Sequence, residues 1–131
     1  MKNIENWKPS KFTYNRRGKL IASKNLKEVG AGSRLMGNLV AEFYDEALRV
    51  YSKGKLIDLG CGKIPLFAAY KNYITENICV DWSNTKHKNS FLDFECDLTQ
   101  KLPFKSEEFD TIILSDVLEH IHNPKNLWQE M

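Results

Sequence analysis

Asp58-Leu59-Gly60-Cys61-Gly62 sets a carboxylate at the end of a short apolar run and follows it with two glycines one residue apart. Glycines let a backbone approach a ligand with no Cβ in the way. Pro65 comes soon after, and proline suits the first position of a helix, where its missing N–H would be unpaired anyway. Strand, tight turn and helix N-terminus in succession make a backbone built to hold something polar. A second apolar run, Asn77-Ile78-Cys79-Val80-Asp81, also ends in a carboxylate, 23 residues after Asp58. An acid ending the second strand of such a unit offers two acceptor oxygens to ribose hydroxyls. Its neighbour Trp82 would give a flat apolar surface for an adenine. The competing reading is a solvated strand-terminal acid, with a tryptophan that covers the edge of the core.

These residues need a frame. Residues 56–59 read as a first strand and 65–73 as its crossover helix, with Leu66, Phe67, Ala69, Tyr70 and Tyr73 available for packing. A right-handed crossover to 77–81 sets the two strands parallel and brings Gly60, Gly62 and Asp81 to one crevice. Residues 91–96 give a brief third strand, and 109–115, β-branched and apolar after an acidic turn, read as a buried central strand. Upstream, Leu35, Met36, Leu39, Val40, Phe43, Tyr44, Ala47, Leu48 and Tyr51 recur at three- and four-residue intervals, one face of a helix that should pack on the sheet. Ser33 is its expected cap and Lys53-Gly54 its end. Asn123 caps, and Pro124 starts, a last helix. Residues 83–90 form a polar loop in which His87 is expected to be solvated, and residues 1–31 read as irregular with one short element near 19–22.

The order acid-x-Gly-x-Gly resembles the first motif of class I S-adenosylmethionine-dependent methyltransferases. A dinucleotide fingerprint would want Gly or Ala where Pro65 stands. The methyltransferase pattern often has a third glycine where this chain has Ile64. Cys96-Asp97-Leu98 and Asp116-Val117-Leu118-Glu119-His120-Ile121 also resemble the family, the latter in its Leu-Glu-His run. Four motifs in order, over residues 55 to about 130, carry the resemblance. It implies an α/β Rossmann-like three-layer sandwich with parallel strands in the order 3-2-1-4, a truncated portion of a seven-stranded fold. It further implies S-adenosylmethionine as cofactor. Asp58, Gly60 and Gly62 would hold its amino acid portion, Asp81 the ribose, Asp97 and Leu98 the adenine, and Ser115 the methionine end. His120 is the candidate base, since an imidazole titrates near neutrality. A histidine that only hydrogen-bonds its helix, and an Asp97 that only caps its turn, are the competing readings. Glu119, His120 and His122 sit too close together, without flanking ligands, for a metal site.

At 131 residues the chain suits one domain, expected as a basic N-terminal arm over 1–31 and a cofactor-binding domain, incomplete at its C-terminus, over 32–131. The arm carries a net charge of +6 and the remainder −4, so the arm either attracts an anionic substrate or neutralises its own domain. No apolar run approaches the ~20 residues of a membrane span and no secretory h-region opens the chain, which points to the cytoplasm. Cys61, Cys79 and Cys96 read as reduced thiols.

Base-methylating enzymes of this fold commonly carry Asn/Asp-Pro-Pro-Tyr/Phe where this chain has Ser115-Asp116-Val117-Leu118, which disfavours a nucleic acid partner. The expectation is a small-molecule methyltransferase acting on a sugar, quinone or natural product. The alternatives are a non-catalytic cofactor-binding or interaction fragment, a nucleic-acid methyltransferase and a nucleotide-dependent oxidoreductase. With the fourth strand at an edge, its unpaired backbone would invite self-association.

Overall fold

The computed structural model describes residues 1–82 and 89–131; the polar loop containing His87 lies largely outside the described residues. β1 (Phe12–Tyr14) and β2 (Leu20–Ala22) form an antiparallel hairpin, followed by helix α1 (Arg34–Tyr51). β3 (Lys55–Leu59), α2 (Phe67–Tyr70), β4 (Glu76–Asp81), β5 (Phe94–Glu95), β6 (Thr111–Leu114) and α3 (Pro124–Glu130) complete the chain. The second sheet is parallel, with the strands in the spatial order β5-β4-β3-β6. Its α/β layering is Rossmann-like.

Alternation along β3 explains the layers. Leu56 faces a core with Phe12, Leu20, Ala41, Leu48, Phe67 and Tyr70, whereas Ile57 and Leu59 face a second core with Val80, Leu98, Leu102 and Leu127. A strand buried on both sides must be apolar at nearly every position, and Leu56, Ile57 and Leu59 all are. The hairpin, α1 and α2 cover the first face, and α3 covers the second.

Five local expectations change. The short element expected near 19–22 is β2, but residues 1–31 are no loose arm: β1 pairs with it, Phe12, Leu20 and Ala22 are fully buried, and the hairpin lies against α1. A Cβ on Gly37 would come within 2.9 Å of Ala22 Cβ, so glycine permits that approach. Asn38 Oδ1 also accepts a hydrogen bond from the Ala22 amide at 2.9 Å.

The crossover helix is four residues long rather than 65–73, because Ile64 takes a left-handed conformation (φ 52°) and spends the next residues in turns. Pro65 therefore precedes the helix instead of starting it. Likewise β5 has two residues and β6 four, and β6 is an edge of the described sheet, with only Ile113 buried.

The apolar stripe on α1 is only partly core. Ala41 and Leu48 are buried, with Val40 and Tyr44 half-covered, but Leu35 (75% exposed), Met36, Leu39 and Phe43 (68%) point away from the sheet. Apolar residues span a wider arc of this helix than the hairpin and sheet can cover. Ser33 stands at the N-cap without a side-chain cap bond, because a 3-10 turn over Ala31–Ser33 already leads into the helix. At α3, Asn123 Oδ1 does accept from the Lys125 amide and Pro124 occupies the first turn. Among the described residues no helix is long and apolar enough to cross a membrane.

Candidate active site

All four parallel strands end on one side of the sheet, and the turn after β3 lies at its centre. Gly60 (φ 73°) and Gly62 (φ 50°) are both left-handed there. The amides of Gly60 and Cys61 donate to Val80 O at 2.8 and 3.0 Å, which ties the turn to the end of β4. A Cβ on Gly60 would meet Val117 Cγ2 at 2.4 Å, so the loop after β6 can close against the turn only over a glycine. A Cβ on Gly62 would meet nothing within 4 Å, which leaves open space above that residue.

Asp81 completes the turn from the neighbouring strand. Its Oδ2 accepts from the Gly62 amide and its Oδ1 from the Trp82 amide. Beneath the turn lies Asp58, only 4% exposed, whose Oδ2 accepts from Tyr70 Oη at 3.2 Å. Asn77 Nδ2 donates to the same hydroxyl at 3.2 Å. Burial raises the Asp58 carboxyl from its ordinary 3.8 to about 7, and the nearby Asp81 charge adds to the rise, while the Tyr70 hydrogen bond opposes it. The Cys61 thiol is pushed up by its hydrogen bond with Cys79 and by burial, so it is no nucleophile, and all three cysteines are free.

A cleft of about 400 Å³ opens over this turn, within the usual range for small-ligand sites. Asp58, Gly60, Cys61, Gly62 and Ser115 line it, together with Ser10, Lys11, Lys63 and Asp116. The structure thus brings together Asp58, Gly60, Gly62 and Ser115, with Asp81 hydrogen-bonded to their turn. Ser115 Oγ also meets Tyr44 Oη of α1 at 2.7 Å.

The remaining site candidates stand apart from that wall. Trp82 is 53% exposed directly after Asp81. Asp97 follows Glu95, the register partner of Asp81, and so lies at the same end of the sheet. Its Oδ1 accepts from the Thr99 amide and hydroxyl, and these bonds hold its carboxyl below the ordinary carboxylate range. Leu98 is 9% exposed and belongs to the second core, not to the cleft wall. His120 is exposed on a 3-10 turn over Leu118–His120, outside the residues that line the cleft.

Sequence reasoning missed the wall supplied by the N-terminal segment. Ser10 and Lys11 enter the cleft beside β1, and Lys11 Nζ pairs with Asp116 Oδ2 at 2.7 Å across it. Lys63 pairs with Glu28 at 3.2 Å. The only available signal was the basic character of residues 1–31, which carries no position. A larger groove of about 760 Å³, lined by Ile57, Phe104, Phe109 and Ile112 among others, opens on the face of the sheet opposite the hairpin. Its walls mix apolar side chains with charged residues such as Lys101, Lys105, Glu107 and Glu108, and it includes neither glycine of the turn.

A family model described as a methyltransferase domain matches residues 57–131, which run from the middle of β3 through α3 and include the glycine turn. The chain belongs to the class I S-adenosylmethionine-dependent methyltransferase family. No curated protein and no solved structure matches it. Domains of this family typically bind S-adenosylmethionine.

Two features of the cleft fit that group. Ser10 Oγ is buried, lines the cleft and has no hydrogen-bond partner among the described residues. The open space over Gly62 admits a ligand against bare backbone.

Proposed function

We propose that this chain binds S-adenosylmethionine in the cleft over Gly60 and Gly62 and serves methyl transfer to a small-molecule acceptor such as a sugar, quinone or natural product. The observation that carries the reading is the Gly60-Cys61-Gly62 turn, locked to Asp81 through the Gly62 amide with Asp58 buried below it. The cofactor supplies a methyl group on a sulfonium, which a nucleophilic acceptor takes by in-line displacement. Such a reaction asks the protein mainly for positioning.

Asp58, Gly60 and Gly62 hold the amino acid portion in this reading. Asp81 accepts from the ribose hydroxyls through lone pairs that Gly62 and Trp82 leave open, since each carboxylate oxygen has two. Trp82 and Asp97, at the adjoining strand ends, face the adenine side, with Asp97 Oδ2 as its accepting atom and Leu98 packed behind it. Ser115 borders the methionine end. Where the acceptor is a hydroxyl, its proton must leave, and His120, on the turn after β6 and outside the cleft wall, takes it where the acceptor extends past that wall. Support for a small acceptor comes from Ser115-Asp116-Val117-Leu118, in place of the Pro-Pro segment common among base-methylating enzymes.

Calorimetric titration tests this. S-adenosylhomocysteine should bind and NAD should not, and Asp81→Ala should weaken binding by about tenfold or more, the loss of hydrogen bonds to a charged acceptor. Binding of NAD in place of S-adenosylhomocysteine would refute the cofactor assignment. Salt-sensitive binding of RNA or DNA would refute the small-molecule acceptor.

A further inference from the structure

Lys11 and Asp116 are 105 residues apart in sequence and meet at the rim of the cleft. Their side chains are 46% and 57% exposed, so the pair is hydrated and weakly held, and it exchanges readily for other partners. Two neighbouring features are less ordinary. Ser10 is 8% exposed, and its buried hydroxyl finds no partner among the described residues although it lines the same cleft. Asp116 holds a left-handed backbone (φ 55°), a conformation unfavourable for a residue with a Cβ, which persists where the surroundings fix it and often marks a functional position.

An unsatisfied hydroxyl lining the same cleft as an ammonium and a carboxylate makes a divided charge site. It suits a ligand that carries both signs on adjacent atoms. A plain anion would satisfy Ser10 and Lys11 but strand Asp116, and a plain cation would do the reverse. An α-amino acid group satisfies both halves.

We propose that the Lys11–Asp116 ion pair opens for the amino acid end of the cofactor, whose carboxylate is taken by Ser10 Oγ and Lys11 Nζ and whose ammonium is taken by Asp116. The N-terminal segment then acts as a charged wall that recognises the zwitterion, and Lys11 and Asp116 are positioning residues. This rests on the reading of the cleft as a cofactor site.

The test compares two ligands with the same adenosyl thioether. S-adenosylhomocysteine has the amino acid end, and 5′-methylthioadenosine lacks it. Each is titrated calorimetrically into the natural chain and into Lys11→Met and Asp116→Asn. Both positions are exposed, and asparagine tolerates the left-handed backbone at 116, so both variants should fold. Each variant should weaken S-adenosylhomocysteine by about tenfold or more and leave 5′-methylthioadenosine within about twofold, the scale expected for losing a charge-assisted hydrogen bond from one ligand only. Unchanged S-adenosylhomocysteine affinity, or equal losses for both ligands, overturns the proposal while the cofactor reading stands. Failure of the natural chain to bind either ligand overturns both.

Discussion

Asp81 Oδ2 accepts a hydrogen bond from the backbone amide of Gly62 at 2.9 Å. The bond joins the turn after β3 to the end of β4, so the two halves of the crevice are fixed relative to one another before any ligand arrives. Asp81→Ala should therefore loosen the turn without unfolding the sheet. Amide hydrogen exchange at Gly62 should accelerate by about tenfold, while the β3 amide of Leu59 keeps its protection. Equal acceleration at both would mean that Asp81 supports the sheet as a whole.

The buried Asp58 sets a pH dependence of stability. Its carboxyl titrates near 7 in the folded chain against an ordinary 3.8, because burial disfavours the charge. The folded state thus holds a proton that the unfolded state has released between those values. Its contribution is fully present below about pH 4 and is lost as pH rises to about 7, with no further change above. Urea midpoints measured from pH 4 to 8 should carry this falling component in the natural chain, and Asp58→Asn should remove it.

Ile64 offers a test of side-chain burial against backbone strain. It is fully buried and left-handed, and its carbonyl accepts from Trp7 Nε1 at 3.2 Å. A left-handed residue with a Cβ costs about 1–2 kcal/mol, whereas losing a buried isoleucine side chain costs about 2–5 kcal/mol. Ile64→Gly should destabilise by about 2 kcal/mol, measured by urea denaturation. Ile64→Ala should be no more stable than Ile64→Gly, an inversion of the usual order, because alanine keeps the strain.

Helix α1 should respond unequally around its circumference. Leu39→Ala and Phe43→Ala remove side chains that are mostly exposed and should change stability by no more than about 0.5 kcal/mol. Leu48→Ala empties a core position and should cost about 2–5 kcal/mol. Thermal melts of the three variants check this contrast.

The sequence made some of this architecture readable and hid the rest. Gly60 and Gly62 were readable because few other residues accept a left-handed turn, and Asp58 and Asp81 because a carboxylate that closes an apolar run has few other reasons to be there. Strands of three residues, such as Phe12–Tyr14 and Leu20–Ala22, are too short to establish a period, so the second showed only as one short element and its partner not at all. The left-handed Ile64 was hidden because a β-branched residue argues against that conformation, and only the surrounding core makes it tolerable. On α1 the apolar arc was plain, but which part of it would meet the sheet depends on Gly37 and Ala41, whose smallness admits the hairpin. Ser10 and Lys11 carried no positional signal at all, since a tertiary contact across most of the chain leaves no local pattern.

That contact bears on how the protein is made. The cleft is bounded at one side by Ser10 and Lys11 and at the other by Ser115 and Asp116. A ribosome delivers the first pair long before the second, and the early hairpin must wait for the 105 residues that separate Lys11 from Asp116 before its counterpart exists. Ligand-assisted folding can therefore act only after residue 116 has emerged, and nascent chains arrested before residue 115 should hold a hairpin and a helix but no receptive pocket.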